Sequence, residues 1–132
     1  MIFVDTSVWI GHLRDQADLP HVRWLRSAFG REPIAVGDLV LLEVLQGAST
    51  EPQAAATERL LRNFVVLRLL DDTLAVRAAR NYRHLRSLGS TIRRTIDLVI
   101  GTYCIEHGLP LLHADRDFDP MEQHLGLSVV HP

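Results

Sequence analysis

Short apolar runs without a polar break alternate along this chain with longer stretches in which apolar residues return every three or four positions. The first run, Ile2 to Val4, predicts a strand covered on both faces, and Thr6 or Ser7 stands where a cap belongs for a helix through Leu13. Pro20 opens a second amphipathic helix carrying Val22, Leu25 and Phe29. Ile34 to Val36 predicts a second strand, followed by a helix capped at Asp38, reaching about Gln46 and stopped by Gly47. An Ala- and Leu-rich helix spans Glu51 to about Phe64, and Val65 to Leu69 gives a third strand. Asp72 or Thr73 caps a long helix to about Leu88, where Gly89 ends it. A further helix, Thr95 to His107, closes at Gly108. The strand Leu109 to His113 follows, and Leu127 to Val130 is a last strand after a short helical turn.

Strands that are continuously apolar and separated by helices predict the α/β class, with a parallel sheet covered by helices on both faces. The 132 residues suffice for one core and are too few for two comfortable domains, so residues 1–132 are expected to form one domain. No repeat, linker or low-complexity tract interrupts them. Asp5 arrives too early for a signal-peptide core, and no run approaches the roughly 20 apolar residues of a membrane span, so no membrane contact and a cytoplasmic location are expected.

Charge narrows the picture. The net charge of −2 and pI near 6.4 exclude a protein that coats nucleic acid with its whole surface; binding there would need a local patch. All 14 basic residues are Arg, which excludes chemistry built on a Lys ammonium. The single cysteine, Cys104, lies in an apolar stretch, reads as a small buried hydrophobe and fits a reducing compartment.

Four acids fall where a folding chain avoids them: Asp5 after Ile2 to Val4, Glu43 within LVLLEVL, Asp97 within TIDLVIG, and Asp115 after LPLLHA. Three of them have a local explanation. Asp5 can cap the first helix, Glu43 can lie on a stripe that reaches solvent, and Asp97, with Thr95 as cap, suits the positive end of a helix dipole. Four buried acids in one small domain nevertheless ask for a shared cation. Without Cys/His ligand spacing, an all-carboxylate set selects a hard ion such as Mg or Mn over zinc. Asp117 joins Asp115 on one side only if the segment is extended, Asp119 before Pro120 reads as a turn or cap, and His113 reads as a hydrogen-bonded core histidine. Gly101, one turn after Asp97, is expected to leave room beside that carboxylate.

Arg77, Arg80, Arg83 and Arg86 recur every third residue, the pattern of a solvated helix face. Arg93 and Arg94 lead into the acidic helix, where guanidinium groups can neutralise carboxylates or hold phosphate oxygens. Trp9, Leu13, Trp24 and Leu25 put large apolar groups on the first two helices, for core packing or for partner contacts.

The opening MIFVDTSVWI, the acid in LLEVLQG and the stretch TIDLVIGTYCIEHGLPLLHADRDF, in this order over nearly the whole chain, resemble a PIN domain, in particular the VapC-type ribonuclease toxins of toxin–antitoxin pairs. The resemblance implies a three-layer fold with a five-stranded parallel sheet in order 3-2-1-4-5. It also implies a metal-dependent endoribonuclease with Asp5, Glu43, Asp97, Asp115 and Asp117 as catalytic residues. In that reading Asp5, Asp97 and Asp115 hold Mg or Mn directly or through water, and Glu43 positions a second ion or the attacking water. Thr6 or Ser7, Arg93 and Arg94 would meet the RNA. The partners implied are a second copy of the chain and a cognate antitoxin, with DNA reached only through the antitoxin. A haloacid-dehalogenase-type phosphatase would need an acid where Ser7 stands, and a receiver domain would need a Lys. The remaining alternative is a non-catalytic PIN-like protein that binds a partner or RNA without cutting it.

Overall fold

The computed structural model describes all 132 residues. In chain order its elements are β1 (Ile2–Val4), α1 (Thr6–Leu13), α2 (Pro20–Ala28), β2 (Ile34–Gly37), α3 (Asp38–Gln46) and α4 (Glu51–Leu61). They continue with β3 (Val65–Leu67), α5 (Asp72–Ser87), α6 (Thr95–His107), β4 (Leu111–Leu112), a 3-10 turn at Arg116–Phe118 and α7 (Asp119–Leu125). The sheet is wholly parallel, in order β3-β2-β1-β4, with Phe3 of β1 opposite Ala35 of β2 and Leu111 of β4. All carboxyl ends of the strands therefore point the same way, and the loops that leave them share one edge of the sheet.

The expected fifth strand shrinks to one parallel bridge between Leu111 and Val129, held by Leu111 N–H to Ser128 O and Val130 N–H to Leu111 O, each 2.9 Å. It sits beside β4, where order 3-2-1-4-5 puts it, but β4 offers it little. Pro110 has no N–H to donate and the chain leaves the ladder after Leu112, so the expected strand Leu109 to His113 is only two residues long. The third strand likewise stops at Leu67. Coverage on both faces also fails there: Val65 and Val66 of the edge strand are 43% and 38% exposed.

Four caps fall one residue earlier than expected or change type. Asp5, not Thr6 or Ser7, caps α1 by accepting from Ser7 N–H, and Asp71, not Asp72 or Thr73, caps α5 by accepting from Leu74 N–H. Asp38 is the first residue of α3, and its carboxylate instead ties Leu39 N–H to Leu69 N–H across the β3 exit. Thr95 similarly opens α6 from inside, after Arg94.

Phe3, Val4, Leu25, Leu61, Leu85, Ile100, Leu111, Leu112 and Phe118 form the fully buried centre with Trp9, whose ring packs on Phe29 and Phe64. Core packing thus claims Trp9 and Leu25, while Trp24 is half-buried and Leu13 lies at the surface. Cys104 is buried, and burial pushes its thiol well above the ordinary range, so it serves as packing. The space beside Gly101 does not belong to the carboxylate: a Cβ there would collide with the Met121 thioether, so this glycine lets α7 close against α6.

Candidate active site

The topology gathers the acids from four places in the sequence. β1 ends at Val4 and delivers Asp5 into the first turn of α1. β2 ends at Gly37 and α3 then carries Glu43, β4 hands on to Asp115, and α6 supplies Asp97 from its first turn. Asp5 and Asp97 are each 1% exposed, whereas Glu43, Asp115 and Asp117 are partly open to solvent.

The hydroxyls next to Asp5 are committed to carboxylates. Ser7 Oγ donates to Asp5 Oδ2 at 2.6 Å and accepts from Ala114 N–H at 3.0 Å, which ties the start of α1 to the chain leaving β4. Thr6 Oγ1 donates to Glu43 Oε1 at 2.8 Å, so the carboxylate from α3 is aimed by a residue of α1. The other oxygen of Asp5, Oδ1, is buried with no hydrogen-bond partner. A buried carboxylate oxygen left in that state is costly unless a cation faces it.

Asp115 and Asp117 belong to one turn: Asp115 Oδ1 accepts from Asp117 N–H at 2.9 Å, and Asp115 N–H donates to His113 Nδ1 at 3.1 Å. His113 is therefore the hydrogen-bonded core histidine expected, and burial lowers its pKa. It also positions the Asp115 backbone, a role whose only sequence signal is the two-residue spacing in HAD. Asp119 opens α7 and has no part in the cluster.

Arg93 and Arg94 separate. Arg93, largely exposed, pairs with Asp117 through Nε at 3.3 Å and Nη2 at 3.0 Å. Arg94 turns inward, with Nε 3.0 Å from Asp97 Oδ2, Nη2 2.8 Å from Asp115 Oδ2, and Nη1 4.0 Å from Glu43 Oε2. Arg93, Arg94, Asp115 and Asp117 line an open recess of about 360 Å³ above the buried acids. A second cleft, about 220 Å³, runs between α1, α3 and α4 past Ile10, Leu13 and Val44 and ends at Glu43.

Electrostatics follow burial. Loss of water raises the Asp97 pKa to about 6, the negative charge of Asp5 adds to that, and Arg94 holds it back. Asp5 is also raised by burial; the Ser7 hydrogen bonds oppose the shift and Glu43 reinforces it. Carboxylate oxygens of Asp97, Asp115 and Asp117 lie within 4.8 Å of one another, with no thiolate or imidazole among them. An all-oxygen donor set of this kind, backed by the unpartnered Asp5 oxygen, fits a hard divalent cation. Of the sequence-derived acids, Asp97, Asp115 and Asp117 are brought near enough to share one ion. Asp5 lies beneath them, coupled to Asp97 and Glu43.

With this geometry in hand, comparison with known proteins is specific. Residues 2–122 match the PIN domain. The chain is 34% identical to ribonuclease VapC11 of Mycobacterium tuberculosis over 98% of both chains. Among solved structures it is similar to VapBC-5, a member of the VapBC family of toxin-antitoxin systems from Mycobacterium tuberculosis. The TM-score is 0.72 at 25% identity, covering 99% of this chain and 98% of the other. The Rickettsia felis VapBC2 structure, solved bound to a DNA fragment from their promoter, shares the fold with a TM-score of 0.77 at 16% identity over 98% of each chain. The chain belongs to the PIN-domain family, among its VapC ribonucleases.

Proposed function

We propose that this chain is the toxin of a toxin–antitoxin pair, an endoribonuclease that hydrolyses RNA phosphodiester bonds with Mg or Mn and is silenced by a cognate antitoxin in the cytoplasm. The observation that carries the reading is the convergence of Asp5 and Asp97, both buried, beneath the more open Glu43, Asp115 and Asp117. Such an arrangement is poor for stability and suited to holding a divalent ion. A divalent cation held there would supply stabilisation of charge on the phosphoryl oxygens and a more acidic water for in-line attack.

The chain's own groups do the remaining work. Asp97 and Asp115, with Asp5 below, would hold the ion, and Asp117 closes the same rim. Thr6 occupies Glu43 Oε1, while Oε2 accepts no hydrogen bond and has only the distant Arg94 Nη1 at 4.0 Å, so it can orient the attacking water and take its proton. Ser7 fixes Asp5 instead of touching substrate. Arg93 stands over the recess, where its guanidinium can hold non-bridging phosphate oxygens. No nucleophilic side chain is required, and RNA is cut without a covalent enzyme intermediate.

Incubation of the purified chain with structured RNAs and Mn or Mg tests the activity: metal-dependent cleavage that chelation abolishes is expected. RNA bound but left intact would favour the non-catalytic alternative. The chain is further proposed to pair with a second copy, with DNA reached only through the antitoxin. Light scattering at micromolar concentration should give twice the 14.9 kDa chain mass, and a strict monomer would remove the pairing.

A further inference from the structure

One guanidinium touches three of the acids. Arg94 precedes α6, and its donors reach Asp97 of that helix, Asp115 beyond β4 and Glu43 of α3. Its side chain is 55% exposed, so it enters the cluster from the solvent side. All its side-chain hydrogen bonds end on carboxylates, and no backbone carbonyl pins it. Arg26 is a contrast within the same chain, held jointly by the His12 ring, the His12 carbonyl and Asp15. The oxygens that Arg94 engages, Asp97 Oδ2 and Asp115 Oδ2, belong to two residues of the trio close enough to share one ion.

We propose that Arg94 is a displaceable counter-charge, which competes with the divalent cation for Asp97 Oδ2 and Asp115 Oδ2 and swings outward beside Arg93 when the cation binds. The inference rests on the metal-site reading above and adds a positioning residue to it. Two cations cannot both take the same pair of oxygens at hydrogen-bonding or ligand distance without strong repulsion. Arg94 therefore offsets the mutual repulsion of the acids before loading, and gives up both bonds on loading. Once outside, its five donors lie at the rim that Arg93 already occupies, so phosphate recognition and metal loading become linked.

The sign of one measurement separates this from a structural clamp. A clamp that shapes the site would, on removal, weaken metal binding; a competitor would, on removal, strengthen it. Free Mn²⁺ is titrated into the full chain at pH 7.5 without RNA and followed by electron paramagnetic resonance, for wild type, Arg94→Gln, Arg94→Lys and Asp97→Asn. Arg94→Gln should bind Mn²⁺ about tenfold more tightly, because a charge-assisted hydrogen bond is worth roughly a decade in an equilibrium. Arg94→Lys, which keeps the charge but loses the fork, should fall between it and wild type. Arg94→Gln should also melt below wild type without metal, yet gain more from Mn²⁺. Mn²⁺ affinity equal to or weaker than wild type in folded Arg94→Gln overturns the competition while leaving the metal site standing, provided Asp97→Asn weakens binding. Unchanged affinity in Asp97→Asn removes the metal-site reading itself and the competition with it.

Discussion

Helices α5 and α6 lie against each other through Arg77 with Glu106 and Asn81 with Thr102, yet their charges behave in opposite ways. On α6, Asp97 in the first turn is buried and its pKa rises to about 6. On α5, Arg80, Arg83 and Arg86 face solvent without any carboxylate partner, in a stretch from residue 73 to 96 that holds six of the 14 arginines and no acid. In sequence the arginine run is the more conspicuous pattern. Physically it is the weaker one, because exposed charges are screened by water and salt, while Asp97 feels Asp5, Arg94 and Asp115 directly. Charge acquires chemistry here through burial and convergence, not through density along the chain.

The largest effect that could break this comparison is on catalysis. Asp5→Asn, Glu43→Gln and Asp97→Asn should each lower Mn-dependent RNA cleavage by about 100-fold or more, since each removes a group proposed to act on the reacting phosphate or its ion. Arg80→Gln, Arg83→Gln and Arg86→Gln combined should change the rate by no more than about threefold at physiological salt, the scale of screened surface charges. Initial rates under one set of conditions decide. An acid variant with most of its activity intact would take that residue out of the mechanism, and a collapse in the arginine triple variant would make α5 part of the site.

The next effect is on stability, and its sign follows from burial. Asp97 has a folded-state pKa near 6, above its usual value, so between about pH 4 and 6 the folded state holds a proton that the unfolded state has lost. Stability from this group is therefore full below pH 4, falls through that window and is flat above it. His12, His21 and His113, whose pKa values are lowered by burial, act with the opposite sign, but they are common to wild type and variant. Asp97→Asn without metal should thus gain on wild type as pH rises from 4 to 6, by about 2 kcal/mol in total. Melting temperatures of both proteins across this range give the difference. A constant difference, or a variant less stable at pH 7, would mean that Asp97 acts mainly as a favourable acid at the start of α6.

The same contrast explains which parts of the molecule were legible in the sequence. Ile2 to Val4 and Ile34 to Val36 read correctly because central parallel strands are apolar on both faces. Val65 and Val66 look the same in sequence but lie half-bare at the edge, and nothing local distinguishes a central strand from an edge strand. Leu127 to Val130 has strand composition, yet its length was decided by a neighbour kept short by Pro110 and by the chain's departure after Leu112. Asp5, Glu43 and Asp97 stood out because apolar surroundings make an acid anomalous. The different destinations of Arg93 and Arg94 were invisible, since adjacent residues point apart only once α6 has a fixed start. Gly101 misled for a related reason: its missing side chain was visible, but Met121 arrives from twenty residues away.

The smallest expected effect sharpens the comparison from the exposed side. Arg86 lies over the Tyr82 ring, its guanidinium carbon 5.7 Å from the centroid, whereas Arg83 on the same helix makes no ion pair or ring contact. If α5 is a solvated face, the two should differ only by that contact. Arg83→Ala should leave stability within about 0.5 kcal/mol of wild type, and Arg86→Ala should cost about 0.5 to 1 kcal/mol, the range for an exposed cation over an aromatic ring. Tyr82→Leu would remove the distinction while keeping an apolar side chain, so Arg86→Ala in that background should fall to the level of Arg83→Ala. Urea midpoints at one pH read all four differences. Neither arginine variant should alter the pH 4 to 6 profile that Asp97 governs. If Arg83→Ala shifted that profile, α5 would be coupled to the acid cluster through the α5 and α6 contact, and the division between a screened face and a buried site would fail at that helix pair.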